Sequence, residues 1–107
     1  MGKSAEPLTE SYYYILLCLY DGPSHGYGIM RRTLELSDGH VHIGSGTMYG
    51  ATGNMMKKGW IEELPTPDAD RRRLYRLTEA GRQVLLDEAD RLRHLAAAAD
   101  SIIGGEK

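Results

Sequence analysis

Four arginines and a tyrosine crowd one short stretch of this chain. Arg71, Arg72, Arg73 and Arg76, with Tyr75 among them, put four positive charges within six residues, while the 107-residue chain carries a formal charge of -2. Positive charge this local suits a protein that meets a polyanion along one edge and leaves its other surfaces mildly acidic. An arginine run alone is usually a solvated loop. Here it abuts a Tyr-containing strand, with Asp68 and Asp70 as the nearby loop acids, and leads straight into a helix capped by Thr78.

The remaining reactive side chains do not assemble into catalysis. His40 and His42 are two apart on a predicted strand and share a face, but no third metal ligand follows at a recognised spacing. His25 falls in a turn and His94 on an exposed helix position. Cys18, the single cysteine, lies in the apolar run Tyr12 to Tyr20 without a neighbouring His or Lys to lower its pKa, so it reads as a small buried apolar residue. Gly44 to Gly53 is glycine-rich yet lacks the spacing and lysine of a phosphate-cradling loop. No enzyme, metal or cofactor is expected.

Composition sets the class. With 41% apolar and 26% charged residues the chain reads as an ordinary globular protein, one domain spanning 1–107. The longest apolar run is too short for a bilayer and has no basic leader, so no membrane is expected and the cytoplasm is the default location. Such a small core gains from burying surface in a second subunit.

Punctuation along the chain places the elements that must position the arginines. Thr9 caps a first helix to about Leu19, stopped by Asp21, Gly22 and Pro23. A second helix runs from Tyr27 to Ser37, with Tyr27, Met30 and Leu34 on one face and Ile29 beside it. His40 to Ile43 alternates as a short strand. Gly44 or Ser45 caps a third helix to Lys58, with Met48, Ala51 or Thr52, and Met55 facing inward and Gly59 ending it. Trp60 to Leu64 and Arg72 to Leu77 form a hairpin around a loop from Pro65 to Asp70. The fold class is mainly α with a small β-hairpin, in the order of a winged helix-turn-helix whose third helix enters a DNA groove.

The last helix, Glu79 to Ile103, carries Leu85, Ala89, Leu92, Ala96, Ala99 and Ile103 at steps of 4, 3, 4, 3 and 4, the spacing of a coiled-coil seam. A helix of about 25 residues extends roughly 37 Å, further than a small winged domain covers. Dimerisation follows. Asp87 with Arg91 and Asp90 with His94 are expected to pair on the opposite side.

These residues together resemble one family. Ile15 to Tyr27 (ILLCLYDGPSHGY), Gly46 to Tyr49 (GTMY), Lys58 to Glu62 (KGWIE) and Arg71 to Gly81 (RRRLYRLTEAG) are similar to words of PadR-type transcriptional regulators, specifically the smaller subgroup with a single C-terminal helix. The resemblance implies a homodimeric winged-helix repressor that releases operator DNA when a small molecule or stress signal acts. In some of the smaller proteins flat aromatic compounds bind between the subunits. The chain departs from the family at Ser45, where Pro is common, at Thr52, where Leu is usual, and at Gly53 and Asn54, where basic residues are common.

The resulting expectation divides the chain into a DNA-binding part at 8–77 and a dimerisation helix at 78–104. Ser45, Thr47, Tyr49, Gly50, Gly53, Asn54 and Lys57 on the third helix, with Arg71, Arg72 and Arg73 on the wing, are the candidate contacts to double-stranded operator DNA. Asn54 is the candidate for adenine. Arg76 and Tyr75 are read as buttresses. A small aromatic effector is placed among Tyr12, Tyr13 and Tyr14 with Leu92, Leu95 and Ala96. The competing class is a protein-interaction module that dimerises through the last helix without binding DNA.

Overall fold

The computed structural model describes residues 7–67 and 69–104; Asp68, one of the two wing acids noted above, lies outside them. The first helix, α1 (Glu10–Cys18), starts at Thr9, whose hydroxyl accepts the Tyr12 amide at 3.2 Å. It buries Ile15, Leu16 and Cys18. The strand β1 (Ser24–His25) leads directly into α2 (Gly26–Leu36), which buries Ile29 and Thr33. The inner face of α2 is therefore not the one anticipated: Tyr27 is 67% exposed and Leu34 39%. The Cys18 thiol sits 3.6 Å from the Thr33 hydroxyl, and burial pushes its pKa up, as suits an inert core residue.

His40 to Ile43 is not a strand. Ser37 supplies the reason, because its hydroxyl accepts the Val41 amide at 2.9 Å and so takes up a donor that a ladder would need. Ile43 is buried as an anchor ahead of α3 (Ser45–Lys57). That helix buries Met48, Ala51, Thr52 and Met55 and ends at Gly59, whose φ of +77° lets the Trp60 amide reach the Met55 carbonyl at 3.0 Å.

The wing strands are β2 (Ile61–Leu64) and β3 (Leu74–Leu77), antiparallel with Ile61 opposite Leu77 and Leu64 opposite Leu74. The returning strand begins at Leu74, two residues later than its composition suggests, so Arg71 to Arg73 occupy the end of the loop. The sheet has three strands in the order β1-β3-β2, which sequence reasoning read as a hairpin alone. Among the described residues, four helices and this small sheet make a mainly α winged-helix fold.

The final helix, α4 (Glu79–Ile102), is capped by Thr78, whose hydroxyl accepts the Gly81 amide at 3.0 Å. Gly81 is there because of a close approach: a Cβ at this position would lie 2.0 Å from the Trp60 carbonyl oxygen. One residue of the expected seam is misassigned. Leu85 is 2% exposed within its own protomer, packed in the core with Ile15, Leu16, Ile29, Met55 and Tyr75. Beyond it the helix leaves the core, and Leu95, Ile102 and Ile103 are 56%, 75% and 64% exposed. Charge pairing also differs on this helix. Arg91 pairs with Glu88 instead of Asp87, which accepts from Gln83 at 2.8 Å; Asp90 and His94 approach to 3.7 Å. Glu88 additionally accepts the Leu8 amide, and the Arg91 guanidinium, through its hydrogen bonds, holds the Glu88 carboxyl below its usual range.

Candidate nucleic-acid interface

Helical spacing of 100° per residue separates α3 into two faces. Met48, Ala51, Thr52 and Met55 point into the core, so Gly46, Gly50, Gly53 and Lys57 form the centre of the outward face. Ser45, Thr47, Tyr49 and Asn54 flank it, all exposed. Nothing lies within 4 Å of a Cβ built at Gly46, Gly50 or Gly53. Packing within the protomer therefore does not require these glycines, although each interior one costs about 1 kcal/mol of helix stability relative to Ala.

Both helices of the helix-turn-helix start without a side-chain cap. Gly44 precedes α3, and His25, at the N-cap of α2, makes no capping hydrogen bond. Thr9 and Thr78 do cap the other two helices. The first amides of α2 and α3 thus keep unsatisfied donors beside one another, where the macrodipoles favour an anion. Gly26, Tyr27, Ser45 and Tyr49 line a cleft of about 290 Å³ whose other wall is Arg71, Arg72 and Arg73.

The wing is held against these helices by a short strand. Ser24 and His25 pair with Tyr75 and Leu74, and His25 Nδ1 meets the Arg73 carbonyl oxygen at 3.1 Å. Arg73 places its guanidinium 5.5 Å from the Tyr49 ring centroid, a cation–π contact joining the wing to α3. Its two neighbours behave differently. Arg72 binds the Asp70 carboxylate at 3.1 and 3.2 Å, and that guanidinium draws the Asp70 pKa down to about 2. Arg71 forms no ion pair with any described residue. Among the described residues, Arg71 and Arg73 are therefore the loop arginines without a carboxylate partner, and Arg72 is the one held by Asp70. Tyr75 is buried and Arg76 pairs with Glu62 across the hairpin, as buttresses.

The other anticipated residues separate into those the fold brings to this face and those it does not. Asn54 donates to the Tyr12 hydroxyl at 2.9 Å, so one amide hydrogen of the candidate base-reader is committed to α1. Lys57 is exposed at the far end of α3. Tyr27, exposed at the start of α2 and lining the cleft, was not among the candidates; its place immediately after a turn was the available signal. Tyr12, Tyr13 and Tyr14 are all half-buried, with Tyr13 and Tyr14 edge to face at 6.1 Å. Tyr12 lines a separate cleft with Leu8, Lys58, Trp60 and Val84, and Leu92, Leu95 and Ala96 are not part of it. Among the described residues no three His, Cys, Asp or Glu side chains could hold a metal ion, and no helix is long and apolar enough to cross a membrane.

Known proteins share this fold. A transcriptional regulator from Clostridium thermocellum superposes with a TM-score of 0.76 at 24% identity, covering 87% of this chain and 89% of that one. PadR of Bacillus subtilis, solved in complex with operator DNA, is 26% identical with a TM-score of 0.63, covering 71% of this chain and 44% of that one. An uncharacterized 37.1 kDa protein in transposon TN4556 of Streptomyces fradiae is 37% identical over 88 residues, 82% of this chain. The chain spans about a quarter of that relative's length, 24%. Residues 15–87 match the PadR-like family of transcriptional regulators, and this chain belongs to that family.

Proposed function

We propose that this chain is a cytoplasmic, homodimeric repressor that recognises an operator in double-stranded DNA and releases it in response to a small molecule or stress signal. The observation that carries the reading is convergence. The uncapped starts of α2 and α3, with Ser45 and Tyr49 on one flank of α3, line the same cleft as Arg71 and Arg73, which pair with no carboxylate among the described residues. Each supplies what a DNA backbone lacks: N–H donors and positive charge. In this reading 1–107 acts as one domain, with 8–77 binding DNA and 78–104 pairing subunits.

The centre of α3 offers backbone in place of side chains. Gly46, Gly50 and Gly53 let the helix lie close to the groove, while Ser45, Thr47, Tyr49, Asn54 and Lys57 work from its edges. Discrimination then leans on the flanking side chains and on groove shape, which depends on sequence even where no base is touched. The seam Ala89, Leu92, Ala96, Ala99 and Ile103, extended by Leu95 and Ile102, joins two protomers. The effector is placed where Tyr12, Tyr13 and Tyr14 of one protomer face Leu92, Leu95 and Ala96 of the second, as a small aromatic molecule.

Selecting bound duplexes from a genomic pool and titrating one against salt tests the reading. Expected are a two-fold-symmetric site and an affinity that falls steeply with salt. A dimer that binds no duplex at low salt would instead favour a protein-interaction module built on α4.

A further inference from the structure

The cleft between α2, α3 and the wing is more apolar than phosphate recognition requires. Its rim carries Arg71, Arg73 and the uncapped starts of α2 and α3, but its floor is Met30, Met48, Thr52 and Tyr75. Met48, Thr52 and Tyr75 are 5% exposed or less. A phosphodiester is recognised by charge and N–H donors, so the rim accounts for DNA and the thioether floor does not. A volume of about 290 Å³ sits at the small end of ligand sites, which span roughly 300–1,000 Å³.

Resting on the DNA-binding reading above, the geometry points to a second occupant of this cleft: a small amphiphilic anion, one carboxylate or sulfonate on an apolar body of one or two aromatic ring systems, that competes with DNA. Its anionic group takes the place of a phosphate between Arg71, Arg73 and the free amides. Its rings lie on Met30 and Met48, whose unbranched thioethers adapt to irregular shapes and make favourable contacts with aromatic edges. The Tyr49 ring, with Arg73 already 5.5 Å from its centroid, forms the side wall. Release of DNA by such a ligand is direct exclusion. It needs no movement of α4 and is the same in a monomer or a dimer, because the cleft contains no residue of α4.

Two dyes that differ by one group provide the test on the full chain. Anilinonaphthalene sulfonate carries the anion; phenylnaphthylamine has the same rings without it. Expected are one saturable sulfonate site per protomer, binding of the neutral dye weaker by about tenfold or more, an equal loss for the sulfonate in Arg73→Ala, and displacement of the sulfonate by duplex DNA. Equal affinity for the two dyes, or an Arg73→Ala variant that binds the sulfonate as the parent does, overturns the anion site. A duplex that saturates the protein without displacing the dye overturns competition while leaving DNA binding intact. Failure to bind duplex in a dye-free control rejects DNA binding itself and the competition with it, whereas the dye pair and Arg73→Ala still decide whether the cleft holds the anion.

Discussion

Helices α3 and α4 lie on opposite terms with their own sequence. The α4 helix has a Thr cap, an acidic first turn at Glu79, a glycine only where Trp60 presses against it, and a run of leucine and alanine with high intrinsic propensity. The α3 helix has no side-chain cap and carries glycines at 46, 50 and 53 that nothing in the protomer needs. It is held by tertiary packing of Met48, Ala51, Thr52 and Met55 and by the glycine stop at Gly59. Local stability is concentrated where a scaffold projects away from the core, and withheld where the backbone itself faces outward.

The contrast within α4 is the easiest to break. Leu85→Ala should cost about 2 to 5 kcal/mol of unfolding free energy in urea melts, because it opens a cavity in the core of each protomer. Leu95→Glu, about three turns further, should leave helix content intact and halve the sedimenting mass at micromolar concentration. A stable dimer after Leu95→Glu would move the proposed interface off this end of α4. A Leu85→Ala cost under about 1 kcal/mol would contradict its burial.

The glycines of α3 give a prediction in which two effects have opposite signs. Gly50→Ala with Gly53→Ala should raise unfolding stability by about 1 to 2 kcal/mol, since the added methyl groups meet nothing and restrict the unfolded chain. The same pair should weaken duplex binding if the backbone approaches the groove closely. Greater stability with unchanged or tighter DNA binding would show that the glycines are merely tolerated.

On the wing, Arg71→Ala with Arg73→Ala should flatten the salt dependence of duplex binding by about 0.9 in slope for each phosphate that is no longer neutralised. Arg72→Ala should do much less, because Asp70 already occupies that guanidinium. Equal effects from all three arginines would mean that DNA strips Arg72 from Asp70. The smallest signal is the acid titration of Asp70. With its folded pKa lowered to about 2, this carboxylate favours the folded state above the usual Asp range and loses that contribution as pH falls through about 2. A carboxyl-carbon NMR titration with its midpoint near 3.8, the ordinary value, would deny the pairing.

Much of this was legible in residue order. Thr9 and Thr78 mark true helix starts, Gly59 marks a true stop, and the inward set of α3 follows from its 3.6-residue period. What escaped has a physical reason in each case. The heptad spacing through Leu85 is genuine, but periodicity identifies a buried stripe without saying whether the cover is the same protomer or another. Strand β1 is two residues long and has no alternation to detect; its existence depends on β3 lying beside it. His40 to Ile43 alternates and yet finds no partner strand. Arg72 looked like its neighbours until the loop folded Asp70 back upon it, a contact two residues apart that composition cannot distinguish from solvent exposure.

Strand β1 has a mechanical consequence. Its two residues are at once the edge of the wing sheet and the run-in to α2, with His25 serving both as ladder partner of Leu74 and as N-cap of the helix. That double duty removes the joint at which wing and helix pair would otherwise pivot. In the proposed complex each protomer would meet DNA as a single solid die, with the spacing between Arg73 and the start of α3 cast into it. If two such protomers pair as proposed, a signal acting away from the cleft has to change the pitch between the two dies, and operators with altered half-site separation are the substrates on which that change would be felt first.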